Sequence, residues 1–269
     1  NLSECGYRIF VVGTYPHYLI DLRRNESRNI GICSRIIDRQ CRLLQKYSPG
    51  SRLIISLIYR GTPEFIRRNQ KECVKLPDGR VLRPSPASLQ FRKACLRVTK
   101  KLIDKMADRP WRNRVIGYEL LGFEDGTFRW WGYNRGKWEG RDNLLIPVDV
   151  SKPALREFRR WLKAKYGTTG TLLKAWGNEK ATFTYKSAVP DTEAMRRHYG
   201  SAFRDPLRSR AAVDYFDFRH DTVFAFRKEL AELTRQRHGG KVIVQTHSSY
   251  PNFGIFTQCP TLIGSSEQQ

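Results

Sequence analysis

Acidic residues are scarce in this sequence. Its 269 residues hold 26 Asp and Glu against 49 Lys and Arg, a formal net charge of +23 with a pI near 10.1. Other absences narrow the function further. No apolar run approaches the roughly 20 residues that cross a bilayer as a helix, and the longest, Leu53 to Tyr59, has the length of a strand. Nothing after Asn1 reads as a signal peptide. The six cysteines (Cys5, Cys33, Cys41, Cys73, Cys95 and Cys259) include no Cys-x-x-Cys pair, which argues against a zinc ribbon or a thioredoxin-type centre. No Gly-x-Gly-x-x-Gly follows a strand and no phosphate loop is present, so a nucleotide-dependent enzyme loses its signature. The 5 histidines lie far apart and none makes His-Glu-x-x-His, so neither a metal site nor a cofactor is expected. Internal repeats and low-complexity linkers are also missing.

What is present suits an ordered globular chain. Hydrophobic residues make up 40% and aromatic residues 12%, enough for a large core. A single α/β barrel of about 250 residues has this size. Free buried thiols are the simpler reading of the cysteines. The Asn1-Leu-Ser3 and Asn25-Glu-Ser27 stretches match a glycosylation acceptor, and the compartment stays open, with a secreted setting preferred. The positive charge favours a polyanionic partner, either an acidic glycan or nucleic acid. It is spread along the chain in pairs such as Arg23-Arg24, Lys100-Lys101, Arg159-Arg160 and Arg196-Arg197, without a recognisable nucleic-acid motif.

Hydrophobic spacing gives an alternating series. Tyr7 to Gly13 and Arg52 to Tyr59 are short runs rich in β-branched and aromatic residues, expected as buried strands. Ile36 to Tyr47 has helical spacing and is stopped by Ser48-Pro49-Gly50. Leu76-Pro77-Asp78-Gly79 is turn chemistry. Leu89 to Met106 is amphipathic, with Phe91, Cys95, Val98, Leu102 and Met106 on one side. A third strand lies within Asn113 to Gly122. Helices follow from about Lys152 to Lys165, ended by Gly167, and from Asp214 to Arg237. Lys241 to Thr246 closes the series as a strand. Strands alternating with long helices imply a parallel sheet. Periodicity alone leaves both a closed barrel and an open doubly wound sheet.

Several segments resemble the catalytic barrel of family-42-type β-galactosidases and the retaining-glycosidase clan around them. They are Asp78-Gly79 with Pro84-Ser85-Pro86-Ala87-Ser88, then Arg114-Val115-Ile116-Gly117-Tyr118, which resembles the family's fourth strand. Phe158 to Gly167, followed by Leu172-Leu173-Lys174-Ala175-Trp176-Gly177, is similar to a family helix and its sequel. Asp214-Tyr215-Phe216-Asp217-Phe218 resembles a later helix start. The resemblance implies a (β/α)8 TIM-barrel fold, with residues 1–269 as one barrel domain in which strands seven and eight are not identified. It implies a β-linked sugar as ligand and a retaining mechanism.

The chain also departs from that pattern. The family's general acid/base glutamate stands just past the fourth strand, within Gly-Glu-Trp or Asn-Glu. Aligned to the first form, its position falls on Thr127. Aligned to the second, it falls one residue before Glu124. Glu124 is therefore the first candidate for the acid/base and Asp125 the second. Glu119, inside the strand, reads as a structural carboxylate paired with an Arg. The family's nucleophile ends its seventh strand, whereas Lys241 to Thr246 looks like the fifth or sixth, so the second carboxylate is not found. Candidate sugar-binding residues are Tyr15 and His17 after the first strand, Trp130 and Trp131 in the loop beyond Glu124, and His247 and Tyr250 after the last strand. Aromatic faces stack on sugar C–H surfaces, and the polar groups hydrogen-bond hydroxyls. Two functions follow. One is a glycoside hydrolase-like barrel acting on or binding a β-linked sugar. The other is a catalytically inactive barrel that binds an acidic glycan or nucleic acid. Oligomeric state is left open.

Overall fold

The computed structural model describes residues 5–14, 26–59, 61, 63–77, 79–122, 148–184 and 210–246. The chain divides into two compact units. The first comprises Asn1–Arg68, Gln90–Phe128 and Ala225–His247, and the second Asn69–Leu89, Arg129–Phe224 and Ser248–Gln269.

The first unit is built on four strands, β1 (Ile9–Thr14), β2 (Arg52–Ile58), β5 (Val115–Leu121) and β6 (Ile243–Thr246). They form one sheet in the order β1-β2-β5-β6, every neighbouring pair parallel. The labels β3 and β4 belong to a hairpin of the second unit. Side chains alternate across a strand, and the register sorts them into two faces. Leu53, Ile55 and Leu57 of β2 and Tyr118 and Leu120 of β5 share one face, each at most 1% exposed. Helices lie on this face. Tyr59, next after β2, hydrogen-bonds Thr99 of α3 (Leu89–Lys105) at 2.6 Å, and Tyr118 meets His238 of α6 (Arg210–His238) at 3.1 Å. Helix α1 (Glu26–Tyr47) turns Ile30, Cys33, Ile37 and Cys41 inward.

Two glycines permit close approach within the sheet. A Cβ on Gly13 would stand 2.7 Å from the Ser56 carbonyl oxygen, and one on Gly117 would stand 2.9 Å from that of Ile243. At the outer edge of β1 the Gln40 amide pairs with Gly13 twice. It accepts from the backbone N–H at 2.9 Å and donates to the carbonyl at 3.1 Å, as a neighbouring strand would.

The second unit holds the antiparallel hairpin of β3 (Cys73–Lys75) and β4 (Val81–Pro84), then α4 (Lys152–Tyr166), α5 (Thr169–Trp176) and the first part of α6. Ser151 caps α4 by accepting from the Ala154 N–H, and Thr168 caps α5 by accepting from that of Thr171, satisfying donors that a helix start leaves unpaired. Phe158 centres the packing, with ring centroids of Tyr215 and Phe218 both at 5.1 Å.

Helix α1 begins ten residues before the expected start at Ile36. Its first turns bury Cys33 and Ser34, which a count of large apolar residues does not register. Helix α2 (Pro63–Arg68), the hairpin strands and α5 are also additions; each is too short to show a period. Cys5, Cys33, Cys41, Cys73 and Cys95 are free thiols. Burial, with the Asp38 charge nearby, pushes the Cys41 thiol up to about 12, and burial does the same for Cys73, so neither is a nucleophile. Among the described residues no helix is long and apolar enough to cross a membrane.

Candidate active site at the carboxyl end of the sheet

Because β1, β5 and β6 run parallel, the chain leaves the sheet at one common end after Thr14, Leu121 and Thr246. Tyr15 and His17 come directly after β1, Glu124 and Asp125 shortly after β5, and His247 and Tyr250 after β6. These six, with Trp130 and Trp131, lie outside the described residues. What the structure supplies is their points of departure. Glu124 and His247 follow adjacent strands, since β5 pairs directly with β6. Counted from β1, β5 is the third strand of this sheet and β6 the fourth. The Arg227 guanidinium holds the last residue of β6, donating to Thr246 Oγ1 from Nε at 2.9 Å and from Nη2 at 2.7 Å.

The other face of the sheet bears two cross-strand rows. Val11, Ile54, Gly117 and Ile243 are in register, and one step nearer the carboxyl end so are Gly13, Ser56, Glu119 and Gln245. Ile9, Val11 and Ile243 are 54%, 58% and 68% exposed. Glu119 is half-buried in its row. An apolar row is thus followed by a polar one just below the strand ends. Sequence reasoning passed over Ser56 and Gln245. The signal was there, because period-two alternation puts Ser56 and Glu119 on the face away from Leu57 and Leu120.

The segments that carry the family resemblance have a different task. In the second unit Asp214 is fully buried and accepts from four side chains. Lys165 Nζ reaches Oδ1 at 3.0 Å and Arg210 Nε at 2.9 Å; Tyr166 Oη reaches Oδ2 at 2.6 Å and Trp176 Nε1 at 2.7 Å. Lys165, Tyr166, Trp176 and Asp214 come from three separate matching segments, and together they form a structural anchor. Asp149 makes a second one. It accepts from the Lys75 and Ser151 N–H groups at 3.1 and 2.9 Å and from Ser85 Oγ at 2.7 Å. Burial raises its carboxyl pKa against the opposing pull of those hydrogen bonds.

A surface groove of about 510 Å³ lies between α4 and α6, lined by Trp161, Lys165, Asp217, His220 and Asp221 among others. Its polar groups satisfy one another. Trp161 Nε1 donates to Asp221 at 2.8 Å, Lys165 pairs with Asp217 at 3.2 Å, and the ammonium stands 4.5 Å from the Trp161 ring centroid. Among the described residues no group of three or more His, Cys, Asp or Glu side chains is placed to hold a metal ion.

No family model matches the chain. A stretch of 101 residues, 37% of the chain, is 38% identical to β-galactosidase BgaA of a Thermus species, and it spans 14% of that protein's length. Solved structures match over most of the chain. The catalytic domain of β-amylase from Paenibacillus polymyxa has a TM-score of 0.64 at 12% identity, covering 91% of this chain and 60% of that one. The β-galactosidase of the psychrophilic Marinomonas ef1 has a TM-score of 0.54 at 19% identity, covering 90% of this chain and 33% of that one. At such identities the likeness concerns the fold, and the chain is similar in fold to the barrels of glycosidases.

Proposed function

We propose that the chain forms part of the wall of a glycosidase-type barrel and holds a β-linked sugar at the carboxyl end of its parallel strands. The observation that carries this reading is the one-sided sheet. A doubly wound sheet has helices on both faces and a point where strand order reverses. Among the described residues, successive parallel strands stand side by side with helices on one face, as in the wall of a barrel. Barrel enzymes place their chemistry in the loops after the strands, and Tyr15, His17, Glu124, Asp125, Trp130, Trp131, His247 and Tyr250 follow β1, β5 and β6 in sequence. The partial match to a β-galactosidase directs the reading toward a galactoside.

In this scheme Glu124 protonates the leaving oxygen, with Asp125 as its substitute. A second carboxylate about 5–5.5 Å away acts as nucleophile, as retention requires. The test is intact-mass spectrometry after incubation with 2-fluoro-glycosides, β-galactoside first. A mass gain of one sugar is expected, and digestion locates the nucleophile. No gain with any sugar removes the hydrolase and leaves a barrel that binds without turnover. Where turnover is found, Glu124→Gln should lower it by at least about 100-fold, the scale of a lost general acid. Undiminished turnover would strike Glu124 from the scheme.

A further inference from the structure

Helix α1 presents a row of cations, of which only Arg42 is held in an ion pair within the described residues. Arg28, Arg35, Arg39, Arg42 and Lys46 are all exposed. At 3.6 residues per turn they fall within about 60° of one another, and at 1.5 Å per residue the row extends about 27 Å. The buried side of the helix, with Ile30, Cys33, Ile37 and Cys41, lies opposite. Four of the five, Arg35, Arg39, Arg42 and Lys46, line an open groove of about 440 Å³ with Asp38 and Leu43.

The acids of this helix are committed to other tasks. Glu26 is bound by Arg97 at 2.7 Å and Lys101 at 2.6 Å. Asp38 accepts from Trp111 Nε1 at 2.9 Å and pairs with Arg42 at 2.9 Å. Among the described residues Arg28, Arg35, Arg39 and Lys46 have no ion pair. Like charges three and four positions apart weaken a helix, so the row opposes the stability of the element that carries it, and a bound polyanion would relieve it.

We propose that this groove is a docking surface for a linear acidic polysaccharide, whose sulfate or carboxylate groups pair with the arginine row. Guanidinium forks suit such oxyanions because they bind them through two parallel hydrogen bonds. A groove for single-stranded nucleic acid interleaves aromatic platforms with its cations; none lines this one, and the nearby Tyr47 ring has the Lys46 ammonium 5.1 Å from its centroid. The choice of a carbohydrate rests on the glycosidase-type reading above, whereas the position of the surface rests on α1 alone.

The test is calorimetric titration of the full chain with a heparin octasaccharide and, separately, with a short DNA duplex at the same salt. The triple variant Arg35→Gln, Arg39→Gln, Lys46→Gln removes three cations from the row. A control, Lys163→Gln, Lys174→Gln, Lys180→Gln, removes three exposed cations elsewhere. Octasaccharide binding should weaken by about tenfold or more in the first and by less than about twofold in the second, with a shallower salt dependence only in the first. A thermal midpoint no lower than that of the unsubstituted chain shows that the α1 variant is folded. Equal losses in both variants would mean diffuse charge attraction and overturn the surface. Tighter binding of the duplex than of the octasaccharide would overturn the polysaccharide. The titration reads binding without turnover, so a negative 2-fluoro-glycoside result does not touch it.

Discussion

The sheet unit and the helical unit place their polar groups differently. In the helical unit the buried carboxylates are saturated: Asp214 accepts from Lys165, Arg210, Tyr166 and Trp176, and Asp149 from two backbone N–H groups and Ser85. In the sheet unit one face is sealed by helices, while the other carries Ser56, Glu119 and Gln245 beside apolar residues as exposed as Ile243. Burial without spare hydrogen-bonding capacity marks a scaffold. On the other face of the sheet the polar row stands one register step below the ends of the strands, where the chain leaves the sheet. The segments Phe158 to Gly167, Leu172 to Gly177 and Asp214 to Phe218, which resemble a glycosidase in sequence, lie in the scaffold.

The comparison can be broken most forcefully at Asp214. Asp214→Ala leaves Lys165 and Arg210 without their buried partner and should cost about 3 kcal/mol in urea unfolding, near the low end for a broken buried pair because both cations are partly exposed. A loss below about 1 kcal/mol would show that the cluster is not an anchor. Within the sheet, Gly117→Ala forces a Cβ against the Ile243 carbonyl and should cost about 2 kcal/mol, within the range for overpacking. An unchanged midpoint would mean that β6 moves aside freely.

Tyr59→Phe comes next. It strips one hydrogen bond from Thr99 on the sealed face and should cost about 1 kcal/mol, read as a shift in the denaturation midpoint. The smaller effects involve pH and the open face. Burial, aided by the Arg112 charge, lowers the His238 pKa to about 4, below the ordinary value near 6.5. The unfolded chain therefore takes up a proton in that window which the folded chain refuses. Stability should fall as pH drops from about 6.5 to 4, and His238→Gln should flatten that part of the profile. An identical profile in the variant would assign the slope to other groups. Ile243→Gln should change stability by under about 0.5 kcal/mol, as an exposed position does. A loss of 2 kcal/mol or more would mean that this face is covered in solution.

Much of the fold was legible because parallel strands and long helices advertise themselves by period. The strands at Arg52 and Val115, and the helices at Leu89 and Lys152, lie where the apolar spacing puts them. The choice between barrel and doubly wound sheet was not legible, since it depends on which face each crossover helix covers. The polar row was missed for a related reason. Ser56 and Glu119 are ordinary within their own strands and become a row only through the register of β2 against β5. Glu124 and Asp125 came from alignment to the family's acid/base pattern and the other six from residue type near a strand end; of these, the structure gives only the strand ends.

The Gln40 amide on Gly13 has a consequence for how this molecule behaves in a crowd. Among the described residues β1 is an edge strand beside exposed Ile9 and Val11, a profile that invites recruitment of further strands. Templated β-assembly draws on segments of about six or seven uninterrupted residues. Here the outward N–H and C=O of Gly13 are already occupied by a side chain from α1, so an incoming strand loses its partner two residues beyond Val11. The Gln40 side chain thus caps this stretch of the β1 edge for as long as α1 stays docked.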